Sequence, residues 1–326
     1  MKPFCYERPH DAKSAVALLD GSDGSMFLGG GTNLVDLMRL EVATPSLLVD
    51  VSRLPFDRLE ESDSGGLVIG AAMRNSDLAA ELQVRRRYPV LAEALLAGAS
   101  GQLRNLATVG GNLLQRTRCA YFQDVTRPCN KRNPGSGCPA HEGEHRNLAI
   151  LGWSDDCVAT HPSDMAVALA ALDAVVHVQG PIGQRTVPLV ELHRLPGTDP
   201  SLDTVLARGE LVTAVELPPP SGRSAYRKVR ERASFSFAIV SVAASLDLSD
   251  GVIREARVAL GGVAHKPWRA TLAEQELRGK SPGESTFMRA AERELETARP
   301  LRDNGYKIPL ARNLIVRTLC ELVEAT

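Results

Sequence analysis

Two glycine clusters about eighty positions apart carry the residues of this chain best suited to chemistry, together with four cysteines behind the second cluster. The first cluster is Leu28-Gly29-Gly30-Gly31-Thr32-Asn33-Leu34, and the second is Ala107-Thr108-Val109-Gly110-Gly111-Asn112-Leu113. Consecutive glycines let backbone amides converge on one anion without Cβ atoms in the way. Each cluster interrupts an apolar run and ends in a polar residue that can cap or donate. A single loop of this kind is equally a tight strand-to-helix turn. Two matched loops suit a pyrophosphate, and a side chain added at Gly30 or Gly110 is expected to obstruct it. No Gly-Lys-Ser or Gly-Lys-Thr follows either loop, and neither has the G-x-G-x-x-G spacing of a Rossmann turn. The pattern therefore reads as a dinucleotide site of non-Rossmann type.

Cys119, Cys129, Cys138 and Cys157 fall in one stretch, whereas Cys5 and Cys320 stand alone near the ends. Their spacing matches neither ferredoxin patterns nor paired C-x-x-C knuckles. Four thiolates can hold a structural zinc or an iron–sulfur cluster; the alternative is four cysteines packed as small hydrophobes. Arg116, Arg118, Arg127, Lys131 and Arg132 are expected to offset the thiolate charge. His141 and His145 read as solvated loop histidines, because four cysteines already complete a first shell. In His161-Pro162-Ser163-Asp164, the carboxylate of Asp164 either complements a helix dipole or accepts from a ligand. There is no nucleophile elbow, Ser-His-Asp set or H-E-x-x-H helix. A dinucleotide and a metal centre without an acid–base pair point to electron transfer, with the organic substrate reacting elsewhere.

The elements that must position these residues are legible in outline. Ser25 to Leu28 reads as a strand entering the first loop, Asn33 as the cap of a helix to about Leu40, and Ser46 to Val51 as a buried strand. A second unit opens with the strand Gly66 to Ala71. Asn75 or Ser76 caps a helix through Val84, and Pro89 to Gly98 forms another. Ser163 caps a helix over Asp164 to Leu172, apolar on nearly every side and so buried. Ala174 to Val178 follows as a strand. The stretch between Cys119 and Cys157 has no sustained periodicity and reads as an insertion that needs an organising cause. Leu217 to Gly222 is a linker. Beyond it, Ala238 to Leu246 and Ala256 to Leu260 read as strands around an Asp250-Gly251 turn. Thr271 to Leu277, Ser285 to Leu295 and Leu310 to Ala325 read as helices.

The 326 residues suffice for two or three subdomains with real cores. A net charge of −1 gives no strong attraction to nucleic acid or anionic membrane. No apolar run is long enough to span a bilayer, and the N-terminus lacks the apolar segment of a signal peptide. The expected location is cytoplasmic, or periplasmic by co-export with a partner subunit.

Taken together, the two glycine loops, Gln102-Leu103-Arg104-Asn105, His161-Pro162-Ser163-Asp164-Met165-Ala166 and Val258-Ala259-Leu260-Gly261-Gly262-Val263-Ala264 resemble the FAD-binding medium subunits of molybdenum hydroxylases, the family of xanthine dehydrogenase, aldehyde oxidoreductase and carbon monoxide dehydrogenase. The segments around Cys119, Cys129 and Cys138 are most similar to the medium subunits of bacterial periplasmic aldehyde oxidoreductases, in which such an insertion holds a 4Fe–4S cluster. The resemblance implies an α+β chain: a two-subdomain FAD-binding fold of the PCMH/vanillyl-alcohol-oxidase type over 1–58 and 59–217, an iron–sulfur insertion at about 115–160, and a C-terminal domain over 223–326 with a three-stranded antiparallel sheet and helices. It implies noncovalent FAD with its pyrophosphate on Leu28, Gly29, Gly30, Gly31, Thr32, Asn33 and Leu34 and on Ala107, Thr108, Gly110, Gly111 and Asn112. Arg104 and His161 would help to bind it, Asp164 would meet the adenosine side, and Lys228, Ser234, Ser236 and Ile239 would approach the isoalloxazine. It implies a 4Fe–4S cluster on Cys119, Cys129, Cys138 and Cys157. It also implies a heterotrimer with a large molybdenum-cofactor subunit and a small subunit carrying two 2Fe–2S clusters. The alternative is a stand-alone FAD oxidase with a structural zinc.

Overall fold

The structure is a computed structural model that describes residues 1–324, so Ala325, the last residue of the expected C-terminal helix, lies outside the described residues. Three sheets divide the chain. The first is a small parallel sheet of β1 (Cys5–Glu7), β2 (Ser25–Leu28) and β3 (Leu47–Asp50), in the order β1-β3-β2. β3 is buried at every position because it is the central strand, with the helix Ala12–Asp20 over it. The first glycine loop leaves the C-terminal end of β2, the end where parallel α/β sheets place their ligands.

The second sheet is antiparallel and joins β4 (Leu59–Glu61), β5 (Leu67–Gly70), β6 (Val175–Gly180), β7 (Gly183–Pro188) and β8 (Leu211–Leu217) in the order β4-β5-β8-β6-β7. Helices Pro89–Ala97 and Asp164–Ala171 cover it. The first starts on Pro89, whose missing amide costs nothing there, and stops at Gly98. The second is capped by Ser163, whose Oγ accepts from the amide of Ala166 at 2.9 Å. All eight of its residues are buried. Its alanines let Ile69, Val176 and Val215 of the second sheet share one core with Ala243 and Ala259 of the third.

The third sheet, order β12-β11-β10-β9, has three long antiparallel strands, β9 (Arg223–Val229), β10 (Val240–Ser249) and β11 (Val252–Gly261), plus the two-residue β12 (Trp268–Arg269). The turn between β10 and β11 is Asp250-Gly251, with φ of 54° and 75°, the left-handed pair of a tight two-residue hairpin. Helices Thr271–Leu277, Glu284–Leu295 and Lys307–Glu324 pack on one face of this sheet. The expected linker is only the short step from β8 to β9. Gly222 within it has φ +67°, and a Cβ there would stand 2.1 Å from the Leu246 carbonyl oxygen.

Two local expectations change. The helix after Arg74 is not continuous. It breaks at Glu81 into Asn75–Ala80 and Leu82–Arg87, and Arg74 rather than Asn75 or Ser76 is its cap. Asn33 occupies the N-cap position of Leu34–Arg39 but makes no capping bond, because its Oδ1 instead accepts from the amide of Arg116 at 2.9 Å.

Glu294, 2% exposed, joins the helical layer to the sheet. It accepts from Trp268 Nε1 at 2.8 Å and from the amides of Leu272 and Ala273 at 2.9 and 3.0 Å. Glu294→Ala strands three donors, one buried and two half-buried, and is expected to lower stability by about 2–3 kcal/mol, read as a shift of the urea midpoint. An unshifted midpoint would dismiss this residue as the tie.

Candidate dinucleotide cleft and cysteine site

The two glycine loops meet. A Cβ on Gly30 would lie 1.9 Å from the Leu106 carbonyl oxygen, and one on Gly29 would lie 2.8 Å from Thr108 Oγ1. Thr108 caps the short helix Val109–Leu113, its Oγ1 accepting from the Gly111 amide at 3.2 Å. The amide of Gly110 donates to the Ala71 carbonyl at 2.8 Å, and a Cβ on Gly110 would press on Ala71 at 3.2 Å. The glycines thus bring the second loop against the first loop and against the end of β5. Side chains at Gly30 or Gly110 would strike protein rather than a ligand directly, which corrects the expected reason for their glycine identity.

Where the loops meet, a cleft of about 560 Å³ opens between the three sheets. Of the expected residues, Thr32, Asn33, Arg104, Ala107, Gly111, Asn112, His161, Asp164, Ser236 and Ile239 line it. Leu28, Gly29, Gly30, Gly31, Leu34, Thr108, Gly110, Lys228 and Ser234 are not in its lining. Asn112 is held by Ser163, whose Oγ donates to its Oδ1 at 2.6 Å, and by Gln115 Nε2 at 2.9 Å. Lys228 is buried behind the wall. Its Nζ donates to Asp164 Oδ2 at 2.7 Å and to the Ala97 carbonyl at 3.0 Å. Tyr226 donates its hydroxyl to the other oxygen of Asp164. Burial pushes Asp164 above the usual carboxylate range, against the pull of Lys228 and Tyr226.

The cleft fits a polar ligand. Several of its lining residues carry buried polar atoms without a protein partner among the described residues: Asn33 Nδ2, Asn75 Oδ1, Arg118 Nε and His161 Nε2. Sequence reasoning missed part of the lining. Phe235 and Phe237 flank Ser236, about half exposed, with Arg118 stacked on Phe237 at 5.1 Å. Gly261 and Gly262 also line the cleft. That glycine pair was visible in the sequence and could have been read as a third loop; Asn147 and Leu148 carried no signal.

All four cysteines of the insertion line one small cavity beside the cleft. Cys119 borders both spaces. Amides of Tyr121 and Phe122 are directed at the Cys119 sulfur, amides of Val158, Ala140 and His141 at Cys138, and the amide of Ala159 at Cys157. Burial pushes the Cys119 thiol up to about 11 and Cys157 to about 12. These thiols become thiolates only if something positive binds them. Among the described residues, no group of three or more His, Cys, Asp or Glu side chains gathers as a single metal ion requires.

The surrounding cations are not spread around the thiols as expected. Arg132 organises the insertion instead, donating to the carbonyls of Tyr121, Phe122 and Asp124 at 2.8, 2.8 and 2.9 Å. Arg127 faces Asp124, and Arg118 faces Asp36. Arg116 and Lys131 both engage Asp203 and, although its burial opposes them, hold it well below the usual carboxylate range. Lys131 alone also favours a thiolate, at Cys157. His145 is not solvated. It is 1% exposed, its Nδ1 facing the Ala140 carbonyl at 3.0 Å and its Nε2 accepting from the Asp303 amide at 3.0 Å. His141 reaches the Asp155 carbonyl at 2.9 Å. The Asp303 amide, far away in sequence, completes the partners of the His145 ring, which local sequence could not reveal.

A cleft built on paired glycine loops, with an antiparallel C-terminal sheet closing one side, suits a dinucleotide. Two family models match in series: FAD binding domain in molybdopterin dehydrogenase over residues 2–220, and CO dehydrogenase flavoprotein C-terminal domain over 224–322. The chain is 51% identical to aldehyde oxidoreductase FAD-binding subunit PaoB of Escherichia coli (strain K12), over 98% of both chains. It is 28% identical to glyceraldehyde dehydrogenase medium chain of Sulfolobus acidocaldarius, over 85% of this chain and 82% of that one. Among solved structures it superposes with a TM-score of 0.77 on carbon monoxide dehydrogenase from Hydrogenophaga pseudoflava in a form lacking the Mo-pyranopterin moiety, at 28% identity and covering 98% and 96% of the two chains. The chain belongs to the family of FAD-binding subunits of molybdenum-dependent oxidoreductases.

Gly30→Ala is expected to part the two loops, costing about 1–3 kcal/mol and reducing bound flavin, whereas Gly101→Ala, with nothing within 4 Å, is expected to be neutral. Flavin-to-protein absorbance and melting temperature read both; equal values in the two variants would refute the loop contact.

Three histidines around one pocket edge supply a pH dependence. His161, His193 and His265 are pulled down by burial, His193 and His265 to about 4 from 6.5. Between those values the unfolded chain binds protons that the folded chain does not. The histidine contribution is therefore expected to lower stability as pH drops from about 6.5 to about 4, with a shallower fall in His265→Gln. Urea midpoints across that range test it, and identical slopes in the two proteins would count against the assignment.

Proposed function

We propose that the chain is the FAD- and 4Fe–4S-binding electron-transfer subunit of a molybdenum-dependent aldehyde oxidoreductase of the xanthine dehydrogenase type. Its partners in this reading are a large molybdenum-cofactor subunit and a small subunit with two 2Fe–2S clusters, in a heterotrimer. Substrate is oxidised in the large subunit, electrons enter here from the partner's 2Fe–2S clusters, and they leave to an external acceptor. The observation that carries the reading is the cleft itself, whose unpartnered polar atoms await a polar ligand where the two glycine loops meet. The 51% identity to PaoB supports the aldehyde assignment.

In this reading Thr32, Asn33, Gly111 and Asn112 hold the pyrophosphate, and Leu28, Gly29, Gly30, Gly31, Leu34, Thr108 and Gly110 shape the loops behind them. Arg104, Ala107 and His161 complete the wall, Asp164 faces the adenosine side, and Lys228 and Tyr226 aim Asp164. Ser234, Ser236 and Ile239 belong to the segment facing the ring. Flavin supplies the exchange between one-electron donors and two-electron acceptors. Residues 1–58 and 59–217 form the FAD-binding subdomains, and 223–326 the C-terminal domain. The sheets support this division, since none draws strands from more than one of these ranges.

Cys119, Cys129, Cys138 and Cys157 hold the cluster. Sulfur-directed amides and four thiols on one cavity, buried at Cys119 and Cys157 and half-buried at Cys129 and Cys138, suit iron–sulfur ligation, and thiols bound to separate irons need not crowd as around one zinc ion. Cys119 borders both the cluster cavity and the cleft, which favours a relay role. A stand-alone oxidase would require a base in the cleft. Burial pulls His161 well below 6.5, and Asp164 is tied to Lys228, so neither suits proton abstraction near pH 7.

The test is iron, acid-labile sulfide and flavin analysis of the purified chain, followed by anaerobic mixing with aromatic and aliphatic aldehydes. Roughly four iron and four sulfide per chain, both lost in Cys157→Ala but kept in Cys320→Ser, are expected. Flavin is expected to bleach only when the large and small subunits are restored. Zinc in place of iron would refute the cluster, and bleaching without the partners would refute the electron-transfer role.

A further inference from the structure

Lys307 opens the helix Lys307–Glu324 and is 0% exposed. Its ammonium donates to three backbone carbonyls, those of Asn147 and Leu148 at 2.9 Å each and that of Gly262 at 2.7 Å. No carboxylate pairs with it among the described residues; burial alone acts on it and pulls it down to about 7. All three carbonyl-bearing residues line the dinucleotide cleft. Asn147 and Leu148 lie within the cysteine insertion, and Gly262 follows β11, so one side chain joins two stretches of the cleft wall that are far apart in sequence. Neighbours reinforce the same strip. Asn304 donates to the carbonyls of Leu148 and Ala149 at 3.4 and 3.1 Å, and Tyr306 to that of Arg146 at 3.2 Å.

A neutral donor could tie these carbonyls together without the cost of a buried charge. The first turn of a helix is also an unfavourable place for a cation. A lysine there, with no counter-ion, needs a further cause, and the cleft one carbonyl layer away supplies it. Reduction adds negative charge to a flavin; that charge favours the protonated form of a lysine close by, and the ammonium in turn favours the reduced flavin.

We propose that Lys307 is a positioning residue for the bound flavin: it locks the 147–148 and 262 strips of the cleft wall together and sets a positive charge behind them that favours the reduced cofactor. The inference rests on FAD occupying this cleft. A wild-type chain without FAD would fail that reading rather than this one.

The experiment is spectroelectrochemical titration of the flavin in the assembled complex, comparing wild type with Lys307→Met and Lys307→Arg, alongside FAD content and melting temperature. Lys307→Met is expected to weaken the preference for reduced over oxidised flavin about tenfold, which is about 30 mV for a two-electron couple. Lys307→Arg, which keeps the charge, is expected to hold the wild-type potential even if it melts earlier. A wild-type potential in Lys307→Met, with only its melting temperature lowered, would overturn the proposal. If Lys307→Met does not fold, Lys307→Gln, which keeps amide donors for the carbonyls, is read in the same way. Failure of both neutral variants to fold would assign the residue to stability alone and equally overturn it.

Discussion

The arrangement depends on one fully buried helix of eight residues, Asp164–Ala171. Its alanines allow the five-stranded sheet on one side and the four-stranded sheet on the other to close on it within a single core. Each Val or Leu buried in such a core contributes roughly 1.5–3 kcal/mol. Its first turn is held by polar contacts instead. Ser163 caps it and reaches Asn112, while Asp164 is gripped by Lys228 and Tyr226 from β9. The helix therefore sets the spacing of the sheets and delivers its polar end to the cleft between them.

The second glycine loop inherits its position from that anchor. Asn112 is tied to Ser163, Gly110 lies on Ala71 at the end of β5, and Leu106 closes on Gly30 at a distance no side chain would allow. Glycine here permits loop-on-loop packing, at Gly30 and Gly110, and a substitution meets that packing first.

The cysteine insertion is held by buried charge as well as by any metal. Arg132 gathers carbonyls along its first half, and Lys131 and Arg116 converge on Asp203 in the segment before β8. Lys307 and Asn304 fasten its second half, at Leu148 and Ala149, to the C-terminal domain. A loop fixed by distant charges can keep its four thiols on one cavity.

Local pattern in the sequence determined the elements with strong signals: the Asp250-Gly251 hairpin, the Pro89 helix start, the Ser163 cap and the apolar helix behind it. Each depends on residues within a few positions of one another, and so does the nature of the glycine loops and the grouping of the cysteines. The tertiary structure alone decided which side chains reach the cleft and which stand behind it. It turned Asn33 from a cap into a bridge to Arg116, buried His145 beneath Asp303, and spent Lys228 on Asp164. It also added Phe235, Phe237 and Asn147 to the wall and put an unpaired lysine behind it. These outcomes turn on partners tens to hundreds of residues away, and the free energy of burying a polar group depends on whether such a partner arrives.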